Sequence, residues 1–211
     1  MPDDSANRTE PRWPAIVAVL AVGGLYLSLP QNLSIGPGWL LLAIIVVLSV
    51  ATIITHRQGR HSLNMILGHL LTGIITLFML CSIALLIRAL MIHAEAPAPL
   101  LRAGASLWVT NILVFASWYW RLDAGGPHAR SRRPGHTEGA LLFPQMTLNH
   151  GEKSWSPRFI DYLFLAFTTS TAFSPTDTPI LSRWAKVLVM VQASISLLVI
   201  AVLVGRAVNI L

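Results

Sequence analysis

The sequence predicts an all-α membrane protein with five transmembrane helices and a re-entrant half-helix. Of its 211 residues, 54% are hydrophobic and 11% are charged, whereas soluble domains average about 25% charged residues. Long apolar runs bounded by Arg, Pro and Gly recur along the chain, as expected of spans that each need about 20 apolar residues. Near the C-terminus a short apolar segment, a polar turn and a long apolar segment follow one another, which is typical of a re-entrant segment. This composition excludes an ordinary soluble enzyme, a disordered chain and a disulfide-framed secreted module.

The charge balance is basic, with 15 Lys and Arg against 9 Asp and Glu. In a membrane protein such an excess sets orientation, so we expect the lipid bilayer as partner and no nucleic acid. The lone cysteine, Cys81, lies inside an apolar run and has no partner for an intrachain disulfide. We expect an integral protein of a bacterial plasma membrane.

Apolar runs and polar breaks divide the chain into a polar tail and two membrane parts. Residues 1–12 form the tail, residues 13–104 hold about three spans, and residues 105–211 form a second unit. The predicted spans are 13–29, 37–55, 63–92, 105–120 and 179–211. Pro97 and Pro99 predict a loop over 93–104, and 121–156 is the longest polar stretch, predicted as a surface loop.

The second unit contains the predicted half-helix. Ser156-Pro157 resembles an N-cap followed by a first-turn proline, and a helix over 157–171 would be roughly 22 Å long, too short to cross a bilayer. Thr178-Pro179 repeats the same signal before the final span. The sequence therefore predicts a half-helix, a turn over 172–178 and a full helix.

The end of this half-helix and the turn are rich in hydroxyl groups and include one carboxylate. Non-helical backbone at membrane depth is tolerated only where it is buried in protein or lines a watery cavity. Two interpretations stay open: these side chains line a pore, or a Thr- and Ser-rich helix end satisfies its own backbone. The candidate pore-lining residues are Thr168, Thr169, Ser170, Thr171, Ser174, Thr176 and Asp177.

Residues 157–211 resemble the second half of a potassium-channel pore domain, with its pore helix, filter loop and inner helix. Residues 161–169 (DYLFLAFTT) are similar to the pore helix in their acidic start and Thr-rich end. Residues 179–209, with Lys186, Gln192 and Gly205, are similar to the inner helix, and the predicted span 105–120 takes the outer-helix position. The resemblance implies a homo-oligomer, a tetramer if it follows the family, that passes monovalent cations.

The filter departs from the family pattern. Potassium channels stack carbonyls through a TVGYG loop, whose glycines adopt backbone angles closed to other residues. Here Thr171 and Asp177 frame Ala-Phe-Ser-Pro-Thr, without glycine and with one residue more. We therefore expect a pore without standard potassium selectivity, in which the hydroxyls replace hydration and Asp177 attracts cations.

The positive-inside rule predicts a cytoplasmic N-terminus. This places the basic residues of the N-terminal tail, of the turn around Arg57 and Arg60, and of the stretch 121–158 in the cytoplasm, and leaves Arg102 and Arg206 outside. The half-helix would then enter from the cytoplasmic side, the reverse of potassium channels and the direction found in glutamate-receptor channels.

Other functions rest on weaker patterns. A non-conducting scaffold or accessory protein that keeps the pore fold is the alternative, whereas no nucleophile–base pair, cofactor motif or metal spacing predicts an enzyme, a cofactor or a metal site. His69, in the third span, is either an intramembrane functional group or a hydrogen-bond partner of a neighbouring helix. The triplet Arg130, Arg132 and Arg133 either binds anionic lipid headgroups or only fixes orientation.

Overall fold

The computed structural model describes residues 10–92, 97–132, 139–148, 155–174 and 177–208. Within these ranges the chain is helical, and its one β-type pairing is an isolated antiparallel bridge between Leu141 and Ile180. The prediction of an all-α chain is confirmed. The helices are α1 (Trp13–Leu27), α2 (Trp39–Arg57), α3 (His61–Met91), α4 (Pro97–Leu122), α5 (Pro127–Arg130), α6 (Phe159–Ala172) and α7 (Arg183–Val208).

Four helices, α2, α3, α4 and α7, are long and apolar enough to cross a membrane. Their outward faces carry large apolar side chains such as Val47, Leu77 and Val187, which are 66%, 59% and 55% exposed. Large apolar side chains at the surface of a bundle are more stable in contact with lipid than with water. The four helices are therefore compatible with an integral membrane protein. Helix α1, with 15 residues, is shorter than the first of the five spans that the sequence predicts, 13–29.

Helix α4 lies at the centre of the bundle. It packs against α1, α3, α6 and α7. Of its apolar stretch 61% is buried, compared with 22% for that of α2. The structure starts α4 at Pro97, inside the stretch that the sequence predicts as a loop over 93–104. Prolines are tolerated there because the first turn of a helix has no use for its backbone N–H groups. Residues 93–96 lie outside the described ranges.

The two helices of the second unit begin later than the sequence predicts. Helix α6 begins at Phe159, after Arg158, whose backbone N–H donates to Asp161 Oδ2 at 2.7 Å. Residues 179–181 are extended, because Leu142 N–H donates to Pro179 O and Leu181 N–H to Ala140 O. Ser182 then caps α7 by accepting a hydrogen bond from Ala185 N–H at 3.3 Å.

The contacts define one end of the bundle, which we call the Asp123 end. The C-terminus of α4 and the N-termini of α1, α6 and α7 meet there, because Glu10 pairs with Arg130, Tyr162 donates to Asp123, and Leu141 bridges Ile180. The opposite end is marked by the hydroxyl contact between Ser28 and Ser106 and by Leu203 packed against Gly104. Helices α6 and α7 therefore both run antiparallel to α4.

Candidate functional site

Helix α6 ends beside the middle of α7. The Gln192 amide Nε2 donates to Ala166 O at 2.7 Å and to Ser170 Oγ at 2.9 Å. Gln192 lies nine residues after Arg183 in α7, which corresponds to about 13 Å of helix. From this level the chain returns to the Asp123 end, where residues 177–182 lie. We call residues 173–182 the return segment, of which 175 and 176 lie outside the described residues.

The return begins with a left-handed residue. Phe173 has φ 55° and ψ 21°, a conformation that reverses the chain after a helix and that glycine or asparagine usually provides. The Phe173 side chain is 43% exposed, so the reversal places a large apolar group on the surface of the single chain. Within the described residues, the neighbouring Ala172 and Ser174 are exposed as well.

The structure divides the predicted pore-lining residues into two groups. Thr169 and Ser170 are fully buried against the rest of the chain, and Ser170 is occupied by Gln192. Thr171, Ser174 and Asp177 are exposed. Two of the predicted residues are therefore not on a free surface of this chain.

Two of the three threonine hydroxyls of α6 bond to their own helix, whereas Thr169 Oγ1 is buried with no partner among the described residues. Thr168 Oγ1 donates to Leu165 O at 3.0 Å, and Thr171 Oγ1 donates to Phe167 O at the same distance. Thr168 is half-buried, and Thr176 lies outside the described residues. Each hydroxyl keeps its lone pairs available as acceptors, so the bonds to the helix do not prevent contact with a cation.

Buried polar side chains join α4, α6 and α7. Tyr119 Oη donates to Gln192 Oε1 at 2.5 Å, and Asn111 Nδ2 donates to Ser196 Oγ at 2.9 Å. Asn111, Gln192 and Ser196 are all fully buried. The bonds from Gln192 to Ala166 and Ser170 fix the level at which α6 stops along α7, and the bonds of Tyr119 and Asn111 hold α4 against α7. The sequence analysis missed Asn111 and Tyr119 in this role, although a lone amide in an apolar run, such as Asn111, was a usable signal.

A second polar network anchors α6 at the Asp123 end. The Asp123 carboxylate is fully buried and accepts from Tyr162 Oη through Oδ2 and from Ala140 N–H through Oδ1, both at 2.7 Å. Beside it, Arg130 pairs with Glu10 at 3.0 Å and donates to two backbone carbonyls of residues 120 and 123. Arg130 is therefore buried and occupied, and it is not available to bind lipid headgroups as the sequence had suggested.

The charged side chains around the return segment are of mixed sign. Asp177, Arg183 and Lys186 are exposed, as is Arg158 at the start of α6. Exposed basic side chains therefore occur near the start of α6 and the start of α7, on either side in sequence of the carboxylate that the sequence identifies as an attractor for cations. Any ion approaching along this surface meets both signs.

Comparisons with protein-family models, curated proteins and solved structures find no match for this chain. The resemblance to a potassium-channel pore domain therefore rests on the sequence pattern of residues 157–211. The contacts of α6 and α7 are an independent observation about the same residues.

Proposed function

We propose that this chain is an integral membrane protein whose α6, return segment and α7 form a pore loop in a homo-oligomer. The proposed pore passes monovalent cations without standard potassium selectivity. The proposal is carried by one observation: α6 stops beside Gln192, about 13 Å along α7, and the chain then returns to the end from which α6 started. A short helix of this kind, if α7 spans the bilayer, reaches only part-way across it.

The return segment would then lie at membrane depth, where its peptide groups need polar partners. The exposed side chains of Thr171, Ser174 and Asp177 supply polar groups on one side, and the C-terminal end of α6 adds partial negative charge that favours a cation. A single copy leaves this side open, so several copies are needed to enclose a path. This requirement is why the proposal includes an oligomer.

The charge distribution supports an orientation for this pore. Among the described residues, the Asp123 end carries Arg12, Arg57, Arg60 and Arg132, and the opposite end carries Arg88 and Arg102. The positive-inside rule assigns the more basic end to the cytoplasm. The proposed pore loop therefore enters from the cytoplasmic side.

Ion flux in liposomes tests the proposal. The purified oligomer is reconstituted, and Na⁺, K⁺ and Cl⁻ movement is measured for wild type, for Thr171→Ala and for the control Thr147→Ala, which removes an exposed threonine outside the return segment. We expect Na⁺ and K⁺ flux above the lipid background, a clear loss in Thr171→Ala and none in Thr147→Ala. Flux at background level from an intact oligomer would rule out conduction.

A non-conducting scaffold is the second candidate. It is favoured by the burial of Thr169 and Ser170 within the chain and by the bonds from Thr168 and Thr171 to their own helix. In this case the polar end of α6 only satisfies its own backbone. A monomeric mass in mild detergent, together with background flux, would decide for the scaffold, because one copy cannot enclose a pore.

A further inference from the structure

Two adjoining cavities open between the helices at the Asp123 end, on the side away from the return segment. The larger, of about 270 Å³, lies between α1, α2, α3 and α4. The smaller, of about 210 Å³, lies between α3, α4 and the segment that leads into α5. Arg12, Asn64, Trp120 and Arg121 line both, so we treat them as one cleft, the Arg121 cleft.

Arg121 is held in the wall of this cleft without a counterion among the described residues. Its guanidinium crosses Gly68 so closely that a Cβ on Gly68 would lie 1.9 Å from Nη1. Its Cζ lies 5.3 Å from the centre of the Trp120 ring, and its Nε is buried with no hydrogen-bond partner in the part of the chain that the structure describes. A half-buried cation in this state needs an anion or polar groups that the described residues do not supply.

The neighbouring Arg130 also has a buried Nε without a partner among the described residues, but its other donors are paired. It has the Glu10 carboxylate at 3.0 Å and two backbone carbonyls. The Trp120 indole also donates to Glu10. The Glu10 carboxylate is therefore occupied by other donors, and no ion pair joins it to Arg121 among the described residues.

The rest of the polar lining is cationic or neutral. Arg12 donates through Nη1 to Asn64 Oδ1 at 3.1 Å. The other polar lining residues are Arg57, four histidines and three hydroxyl residues: His56, His61, His69, His128, Ser49, Thr52 and Ser62. Three arginines, Arg12, Arg57 and Arg121, line the cleft, with no Asp or Glu among its described lining residues. Such a lining favours an anion, and guanidinium groups match phosphate oxygens in geometry.

The larger cavity becomes apolar away from the arginines. Ala15, Ile16, Val19, Ile53 and Leu71 line it, and these side chains offer nothing to a free anion. These apolar side chains would pack against a hydrocarbon chain that is attached to an anionic group. The cleft therefore combines a cationic mouth with an apolar interior.

We propose that the Arg121 cleft binds the phosphate group of an anionic phospholipid, with an acyl chain against the apolar wall between α1 and α2. Arg12 and Arg121 contact the phosphate oxygens. The same phosphate chemistry could be supplied by free inorganic phosphate, and the experiment separates these two sources. The inference does not depend on conduction, because no described residue of the return segment lines the cleft.

Lipid retention in native mass spectrometry tests this proposal. The full chain in neutral detergent is titrated with phosphatidylglycerol, with zwitterionic phosphatidylcholine and with inorganic phosphate, for wild type, Arg121→Gln and the control Arg102→Gln. Arg102 is exposed near the other end of the same helix, so the control removes the same charge outside the cleft. Loss of one cationic contact of about 1 kcal/mol corresponds to about fivefold weaker binding.

We expect phosphatidylglycerol to bind in preference to phosphatidylcholine, to weaken about fivefold in Arg121→Gln and to be unchanged in Arg102→Gln. Arg121-dependent binding of inorganic phosphate without lipid would support the phosphate site and identify the free ion as its source. Equal binding by wild type and Arg121→Gln would overturn the proposal. If Arg121→Gln is not monodisperse, Arg12→Gln and Arg121→Lys replace it, with weaker binding expected for the first and retained binding for the second.

Discussion

The half of the bundle formed by α4, α6 and α7 differs from the half formed by α1, α2 and α3 in how its helices are joined. In the first half, buried hydrogen bonds connect the helices near the middle of α7, through Gln192, Tyr119 and Asn111. In the second half, the polar contact between α2 and α3 lies near the Asp123 end, where Asn64 donates to Thr52 O. The remaining contacts there are mainly apolar.

This difference determines how firmly each half fixes the positions of its helices along one another. Apolar packing accepts several helix registers of similar energy, whereas a buried amide has its partners in one register only. Helix α6 packs through apolar side chains such as Phe159 and Leu165, and the hydrogen bonds of Gln192 and Asp123 fix its position along α4 and α7. The α1–α3 half needs no such fixing, and it leaves room for the Arg121 cleft.

The largest effect is expected for Gln192→Leu. The substitution keeps the approximate size of the side chain. It removes the partner of the buried Tyr119 Oη and the two bonds from the Gln192 amide to Ala166 O and Ser170 Oγ. We expect a loss of about 2–3 kcal/mol in the free energy of unfolding, seen as a fall of roughly 5–10 °C in the thermal midpoint in detergent. The control Ser194→Ala, on an exposed position of the same helix, should not change the midpoint. A shift of the same size in both variants would show that α6 is not fixed by Gln192.

A smaller loss is expected for Asp123→Asn. The amide cannot accept from Ala140 N–H and Tyr162 Oη with the strength of a buried carboxylate, so about 1–2 kcal/mol of stability should be lost. Asp177→Asn makes the same chemical change at an exposed position and should stay within about 0.5 kcal/mol of wild type. Urea unfolding followed by tryptophan fluorescence compares the two. Equal effects would contradict the anchoring role of Asp123.

Where α4 meets the half formed by α1, α2 and α3, loss of one polar contact should matter less. Trp118 Nε1 donates to Thr76 Oγ1 at 2.9 Å between α4 and α3, and Thr76→Val removes this acceptor while keeping the shape. We expect a cost of about 0.6 kcal/mol, the average for such bonds between membrane helices. The same unfolding measurement checks it. A cost as large as that of Gln192→Leu would remove the distinction between the two halves.

The smallest effect is expected from pH at His128, which lies outside the spans. Burial, and then the positive charges of His61, Arg132 and Arg12, lower the pKa of His128 below its ordinary value. The unfolded chain therefore binds this proton more readily, so stability falls as the pH drops below about 6.5. We expect the thermal midpoint to fall between about pH 7.5 and 5.5, and less so in His128→Gln. Identical profiles for the two proteins would show that His128 does not contribute.

Much of the fold could be predicted from the sequence, because composition and run length depend on the solvent around each segment. Apolar runs identified α2, α3, α4 and α7, and the short run before the hydroxyl-rich turn identified α6. The predicted start of α4 was wrong, because Pro97 and Pro99 fit the first turn of a helix as well as a loop. The start of α7 was wrong because residues 179–181 pair with a segment about 40 residues earlier.

The site was less predictable than the fold. Exposure of Thr171 and burial of Ser170 depend on which side of α6 meets α7. Large apolar side chains lie on the exposed side of α7 as well as the buried side, so hydrophobicity alone does not show which face is inward. The pair of Glu10 and Arg130 joins residues 120 positions apart, for which no local pattern exists. The uncompensated state of Arg121 depends on the space over Gly68, which only the packed helices reveal.

The central claim is that α6 and the return segment begin and end on one side of the membrane. Single cysteines at Ser131, Ser174 and Ser34, in a chain carrying Cys81→Ser, are labelled with a bulky impermeant maleimide from each side of sealed vesicles. We expect Cys at 131 and Cys at 34 to react from opposite sides, and Cys at 174 to react from the side of 131 or not at all. Labelling at 174 from the side of 34 would mean that α6 crosses completely, and it would contradict the account.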